Sequence, residues 1–130
     1  MKILVAFDSS KVSESVLELA KTHAKAFKAD IFVLTSLKQG PELKKVDIDK
    51  VEIKLAKVKT LFETNDIPCE VQVSVCIDSA GEDVVRFAKN NDFDEIIIGV
   101  RKKSKVGKLI FGSTAQYTIL KAPCPVVTVK

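Results

Sequence analysis

Glu95-Ile96-Ile97-Ile98 is a β-branched run without polar alternation, stopped by Gly99. A strand of that kind must be covered on both faces, which is the condition of a parallel sheet with helices above and below it. Ile3-Leu4-Val5-Ala6-Phe7 and Ile31-Phe32-Val33-Leu34-Thr35 have the same character. Between these runs the apolar residues recur at spacings of three and four, the period of a helix with one buried face.

Five strands and four helices follow from that alternation. Residues 2–7 read as the first strand, and Asp8-Ser9-Ser10 supplies turn and capping side chains for a helix over residues 11–27. Val12, Val16, Leu19, Ala20, His23 and Phe27 share its inner face. A second strand covers residues 31–35, and Gln39-Gly40-Pro41 marks a loop. Ile48, Val51, Leu55, Val58 and Phe62 define a helix over residues 47–63. Cys69, Val71, Val73 and Val75 alternate with polar residues, so the third strand has one less covered face and belongs at a sheet edge. A short helix over residues 81–90 precedes the Ile-rich strand, and another follows Gly112. Right-handed crossovers then give an α/β, Rossmann-like three-layer sandwich with a five-stranded parallel sheet in the order 3-2-1-4-5. The 130 residues fit one domain, 1–130.

Hydrophobic residues at 46% and charged residues at 29% exclude a disordered chain. No apolar run is long enough to cross a bilayer, and Met1-Lys2 runs straight into the first strand without room for a signal peptide, so a cytoplasmic protein is expected. Cys69, Cys76 and Cys124 form no Cys-x-x-Cys and have no histidine at metal-ligand spacing; free thiols and no metal site are expected. The net charge of +4 is concentrated, since five of the eight residues from Arg101 to Lys108 are Lys or Arg. That segment is either a solvated basic loop or a local attractor for anions, including nucleic-acid phosphates. Only Phe111 lies nearby to stack on a base, and no nucleic-acid-binding motif accompanies it, which makes nucleic acid an unfavoured partner.

In an open parallel sheet, ligands bind past the carboxyl ends of the strands where the strand order reverses, here between the first and fourth strands. Asp8 and Gly99 stand at those two ends. Gly112-Ser113-Thr114 opens the last helix, where free backbone N–H groups and the macrodipole favour an anion. Each has a plainer reading: Asp8 as an Asx turn or helix cap, and Gly-Ser-Thr as a helix start with no ligand. Gly107-Lys108 is no P-loop, because Leu109 replaces the hydroxyl residue. The single histidine, His23, lies mid-helix on an apolar face, and without a second one no Ser-His-Asp or Cys-His arrangement exists. Catalysis is therefore not expected. A receiver domain shares the layering but needs paired acids after the first strand, where this chain has Asp8-Ser9-Ser10.

Phe7-Asp8-Ser9-Ser10, Gly99, Gly112-Ser113 and Pro123-Cys124-Pro125-Val126-Val127-Thr128-Val129 together resemble the universal stress protein family over essentially the whole chain. The resemblance implies an adenine nucleotide alpha hydrolase-like fold and a site for ATP or another adenine nucleotide, with or without Mg²⁺. It implies phosphate contacts from Gly112, Ser113 and Thr114, backbone contacts to adenine from Ser36 or its neighbour Thr35, and a base pocket lined by Ile98. The family's loop runs Gly-x2-Gly-x9-Gly, and between Gly99 and Gly112 its middle glycine falls on Lys102, which either obstructs the loop or offers its ammonium to phosphate. Slow ATP hydrolysis or self-phosphorylation would be compatible with the resemblance, although no general base is apparent in the sequence. The family's habit of dimerising through its last strand implies a homodimer held by residues 125–129, from Pro125 to Val129. The alternative reading is a member without nucleotide that acts by protein–protein interaction, or by weak nucleic-acid binding through the basic segment 101–108.

Overall fold

The computed structural model describes residues 1–100 and 112–130. Its elements, in chain order, are β1 (Lys2–Ala6), α1 (Ser13–Phe27), β2 (Asp30–Lys38), α2 (Lys45–Thr64), β3 (Cys69–Cys76), α3 (Ala80–Asn90), β4 (Glu95–Gly99), α4 (Ser113–Lys121) and β5 (Val126–Val129). The strands form one sheet in the order β3-β2-β1-β4-β5, and every pairing is parallel. This is the α/β architecture and strand order read from the sequence.

Because successive strand residues point to opposite faces, each central strand feeds two cores. Ile3, Val5, Ile31, Val33 and Ile97 pack with Val16, Ala20 and Ala24 of α1 and with Leu55, Val58 and Phe62 of α2. On the other face Leu4, Leu34 and Ile96 meet Val84 and Ala88 of α3. Ile98 meets Ala115 of α4 on that same side.

Several boundaries differ from the sequence reading. β1 ends at Ala6, one residue short of Phe7. α1 begins at Ser13, not at residue 11, and has no side-chain cap; the Asp8 carboxylate accepts the Ser10 N–H at 2.9 Å in an Asx turn, with Ser9 in the left-handed region at φ 60°. Phe27 is 52% exposed and leans edge-on against His23, because α1 buries its i, i+4 row of Val16, Ala20 and Ala24. β2 runs on to Lys38, since β3 pairs with it through to the Lys38–Cys76 rung. The inward alternation of β3 fades there. The α2 residues that are fully buried lie in its C-terminal half, leaving Val75 exposed at the far end of β3.

Two close contacts fix the helices that border the strand ends. A Cβ at Gly81 would sit 2.9 Å from the Cβ of Tyr117 and 3.3 Å from the Thr114 carbonyl, so only glycine lets α3 and α4 cross this closely. A Cβ at Gly99 would meet Val16 at 3.3 Å and Val12 at 3.4 Å, which seats α1 against the end of β4.

Candidate functional site

A cavity of about 530 Å³ opens at the carboxyl ends of β1, β2 and β4 on the α3/α4 side of the sheet. Ala6, Leu34, Val84, Ile98 and Ala115 give it an apolar floor. Its rim carries Phe7, Asp8, Ser36, Gly99, Gly112, Ser113 and Thr114. Seven of the residues singled out in the sequence (Asp8, Ser36, Ile98, Gly99, Gly112, Ser113 and Thr114) thus border one space. The eighth, Lys102, lies outside the described residues, as does the basic segment 101–108.

Each wall has a physical origin. β1 ends at Ala6 while β2 and β3 continue, so the C-terminal rim of the sheet is stepped and the hollow lies above the short strand. The Leu34 carbonyl accepts the Phe7 N–H at 2.9 Å, whereas Ile31 donates to Pro68 on the β3 side. Backbone polar groups of a strand alternate sides in this way, so the N–H and C=O of Ser36 are aimed like those of Leu34, past the end of β1 and over the cavity. Thr35 faces the opposite layer, where its hydroxyl donates to the Phe7 carbonyl at 2.8 Å. Of the two candidates, Ser36 is the one at the cavity.

The other side is made by α4. Gly112 precedes the helix at φ −62° without a side-chain cap, and the first intrahelical bond runs from the Gln116 N–H to the Gly112 carbonyl at 3.0 Å. The N–H groups of the first turn therefore have no intrahelical acceptor and face the rim with the positive end of the dipole. A Cβ at Gly112 would touch no described atom. Nothing in the surrounding protein requires glycine there, unlike Gly99.

Behind Ser36 stands a polar group that the sequence reading missed. Ser36 Oγ donates to Asp83 Oδ2 at 2.6 Å, and Asp83 Oδ1 accepts from Arg86 Nη2 at 3.0 Å. Arg86 also grips Asp78 with both terminal nitrogens, at 2.5 and 3.1 Å. The Arg86 hydrogen bond holds the Asp78 carboxyl below its ordinary range, and the two carboxylates push the guanidinium pKa up. The Asp83–Arg86 spacing of three on a helix was legible; the partnership with Ser36, 47 residues away, was not.

His23 takes no part in the cavity. Its Nδ1 lies 2.7 Å from Glu95 Oε1 at the first residue of β4, whereas the cavity lies at the last, Gly99. The thiols are quiet as well: burial pushes Cys69 up to about 12 and raises Cys76 and Cys124. Among the described residues no group of three or more His, Cys, Asp or Glu side chains is placed to hold a metal, and no helix is long and apolar enough to cross a membrane.

An open parallel sheet with a cavity at its switch point, an apolar floor and a helix N-terminus at one side defines the doubly wound α/β class. The sequence model of the universal stress protein family matches residues 1–130. The chain belongs to the universal stress protein family. A universal stress protein of Archaeoglobus fulgidus is 36% identical and superposes with a TM-score of 0.89, covering 100% of this chain and 98% of that one. A universal stress protein from the same organism, solved in complex with dAMP, is 31% identical with a TM-score of 0.83, covering 100% and 98%. A universal stress protein of Mycolicibacterium smegmatis is 34% identical over 73 residues, which span 56% of this chain and 55% of that relative.

Proposed function

We propose that this chain binds an adenine nucleotide in the cavity over β1 and acts as a regulatory, non-enzymatic stress protein. The observation that carries the reading is the joining, in one 530 Å³ space, of an apolar floor to the open N-terminus of α4. A flat base fits the first and a phosphate chain the second. The similar Archaeoglobus protein solved with dAMP supports it. Asp8 is the one carboxylate among the described residues of the cavity wall, suited to ribose hydroxyls or to a Mg²⁺ brought by the phosphates. Calorimetry with ATP, ADP and AMP, with and without Mg²⁺, tests the reading: saturable binding supports it. No binding at millimolar concentration leaves the protein-interaction alternative. Lys102→Gly then separates the two roles of that side chain, strengthening ATP binding if the lysine obstructs and weakening it if the ammonium contacts phosphate.

The second part of the proposal is a homodimer through β5. That strand pairs with β4 on one side, and no described strand pairs with its other side. The carbonyls of Pro125 and Val129 accept from Ile96 and Val100, so by strand alternation the polar groups of Val126 and Thr128 face outward, ready for a second copy of the strand. Val127 packs on the α1 side, so a charge there would also strain the core. Thr128→Pro removes only an outward N–H. The parent should scatter light as a dimer and this variant as a monomer; a dimer indifferent to the proline sinks the proposal.

A further inference from the structure

Ser36 and Asp83 set the hydrogen-bonding sense of the cavity's far wall. The 2.6 Å separation is that of a hydroxyl donating to a carboxylate. Asp83 is accepting from Arg86 on its other oxygen and, as a carboxylate, has no proton of its own to give, so the proton between the two residues belongs to Ser36. A serine hydroxyl has a single proton and two lone pairs. With the proton committed to Asp83, the oxygen offers the cavity lone pairs alone.

Topology says which part of a ligand meets that oxygen. α4 follows β4, on one side of β1, while Ser36 extends from β2, on the other side. A molecule whose anionic end sits at the α4 N-terminus must therefore place its ring toward Ser36, over Ala6, Leu34 and Val84.

We propose that Ser36, held by Asp83, is a specificity-determining residue that selects a purine carrying an exocyclic amino group over one carrying a carbonyl at the same position. This rests on the nucleotide reading above. An amino group donates to the lone pairs of Ser36; a carbonyl sets lone pair against lone pair. Arg86 completes the device by occupying Oδ1 and fixing which oxygen of Asp83 faces the serine.

The decisive variant is Asp83→Asn, which keeps shape and swaps one oxygen for an amide. Arg86 retains the amide oxygen, the NH2 turns to Ser36, and the serine proton is released toward the cavity. Ser36→Ala removes the group outright and serves if the asparagine variant does not fold, which thermal denaturation reports. The measurement is the ratio of ATP to ITP affinity by calorimetry. The parent prefers ATP, Ser36→Ala lowers the ratio about three- to tenfold, and Asp83→Asn lowers it at least as far. Backbone groups of Ser36 also read the ring, so the change in ratio among the proteins, and not its absolute value, is the readout. Binding by all three with an unchanged ratio overturns the role of Ser36 and leaves the nucleotide reading standing. Failure of the parent to bind either nucleotide at millimolar concentration overturns both.

Discussion

His23 Nδ1 lies 2.7 Å from Glu95 Oε1, tying the middle of α1 to the first residue of β4 across 72 positions of sequence. Glu95 is a buried carboxyl at the base of the central sheet, and the imidazole is its partner there. Truncating the histidine leaves a buried polar group unmatched, a cost of about 1–3 kcal/mol. His23→Ala should therefore lower the denaturation midpoint while leaving ATP affinity unchanged. Calorimetry and a urea titration on one preparation check both halves, and a loss of affinity without loss of stability would contradict this structural role.

Gly81→Ala sets helix propensity against packing. Alanine favours a helix interior by about 1 kcal/mol over glycine, and a first-turn position such as Gly81 by less. Here the new methyl meets Tyr117 Cβ at 2.9 Å, and the helices must part to admit it, an overpacking cost of about 1–3 kcal/mol. The expected outcome is net destabilisation with weaker nucleotide binding, because Ala80 and Thr114 line the cavity on either side of that crossing. A loss in Gly81→Ala combined with Tyr117→Gly, which removes the Cβ met at 2.9 Å, that falls short of the sum of the two single losses would confirm the cause.

The two rim glycines should behave oppositely. Gly112→Ser adds a capping hydroxyl where no side chain now caps α4, so stability should hold or rise by a few tenths of a kcal/mol. Nucleotide affinity should fall, since the new side chain stands where a phosphate would approach the backbone. Gly99→Ala presses on Val12 and Val16, and it should cost stability before any ligand is added. Thermal melts with and without ATP distinguish the two patterns.

Cys69 gives the stability curve an alkaline shoulder. Its thiol is pushed from 9.0 to about 12 by burial, so the unfolded chain releases this proton first as the pH rises. Fewer protons on the unfolded state mean that stability, complete below pH 9, is lost between pH 9 and 12, by up to about 1.4 kcal/mol per pH unit for one group. Denaturant titrations from pH 8 to pH 10.5 should show that fall, and Cys69→Ala should flatten part of it. An identical slope in the variant would assign the loss to other groups.

How far residues announced themselves depended on the range of the interactions that placed them. The unbroken apolar runs at Ile3 and Ile96 marked two central strands because full burial on both faces is written into their composition. That Asp8 and Gly99 border the cavity was legible because strand ends at a switch point are predictable from topology. Asp8 also shows where local reasoning misplaces a boundary: one side chain can cap a helix or close an Asx turn, and here it closes the turn. The extra length of β2 depends on β3, and the Ser36–Asp83 contact depends on where α3 lands over β2. Neither follows from any window of the sequence.

The stepped rim has a kinetic corollary. From Thr35 to Lys38, β2 stands above the last β1 rung and is braced by its ladder to β3. The wall that would receive a ring is therefore finished before any ligand arrives. Ordering that stretch of chain forms no part of the work of binding, and dissociation requires no strand to be unzipped. For a ring bound as proposed, residence time on this side of the cavity would be governed by contacts to the ring itself and by the single hydroxyl held in place by Asp83.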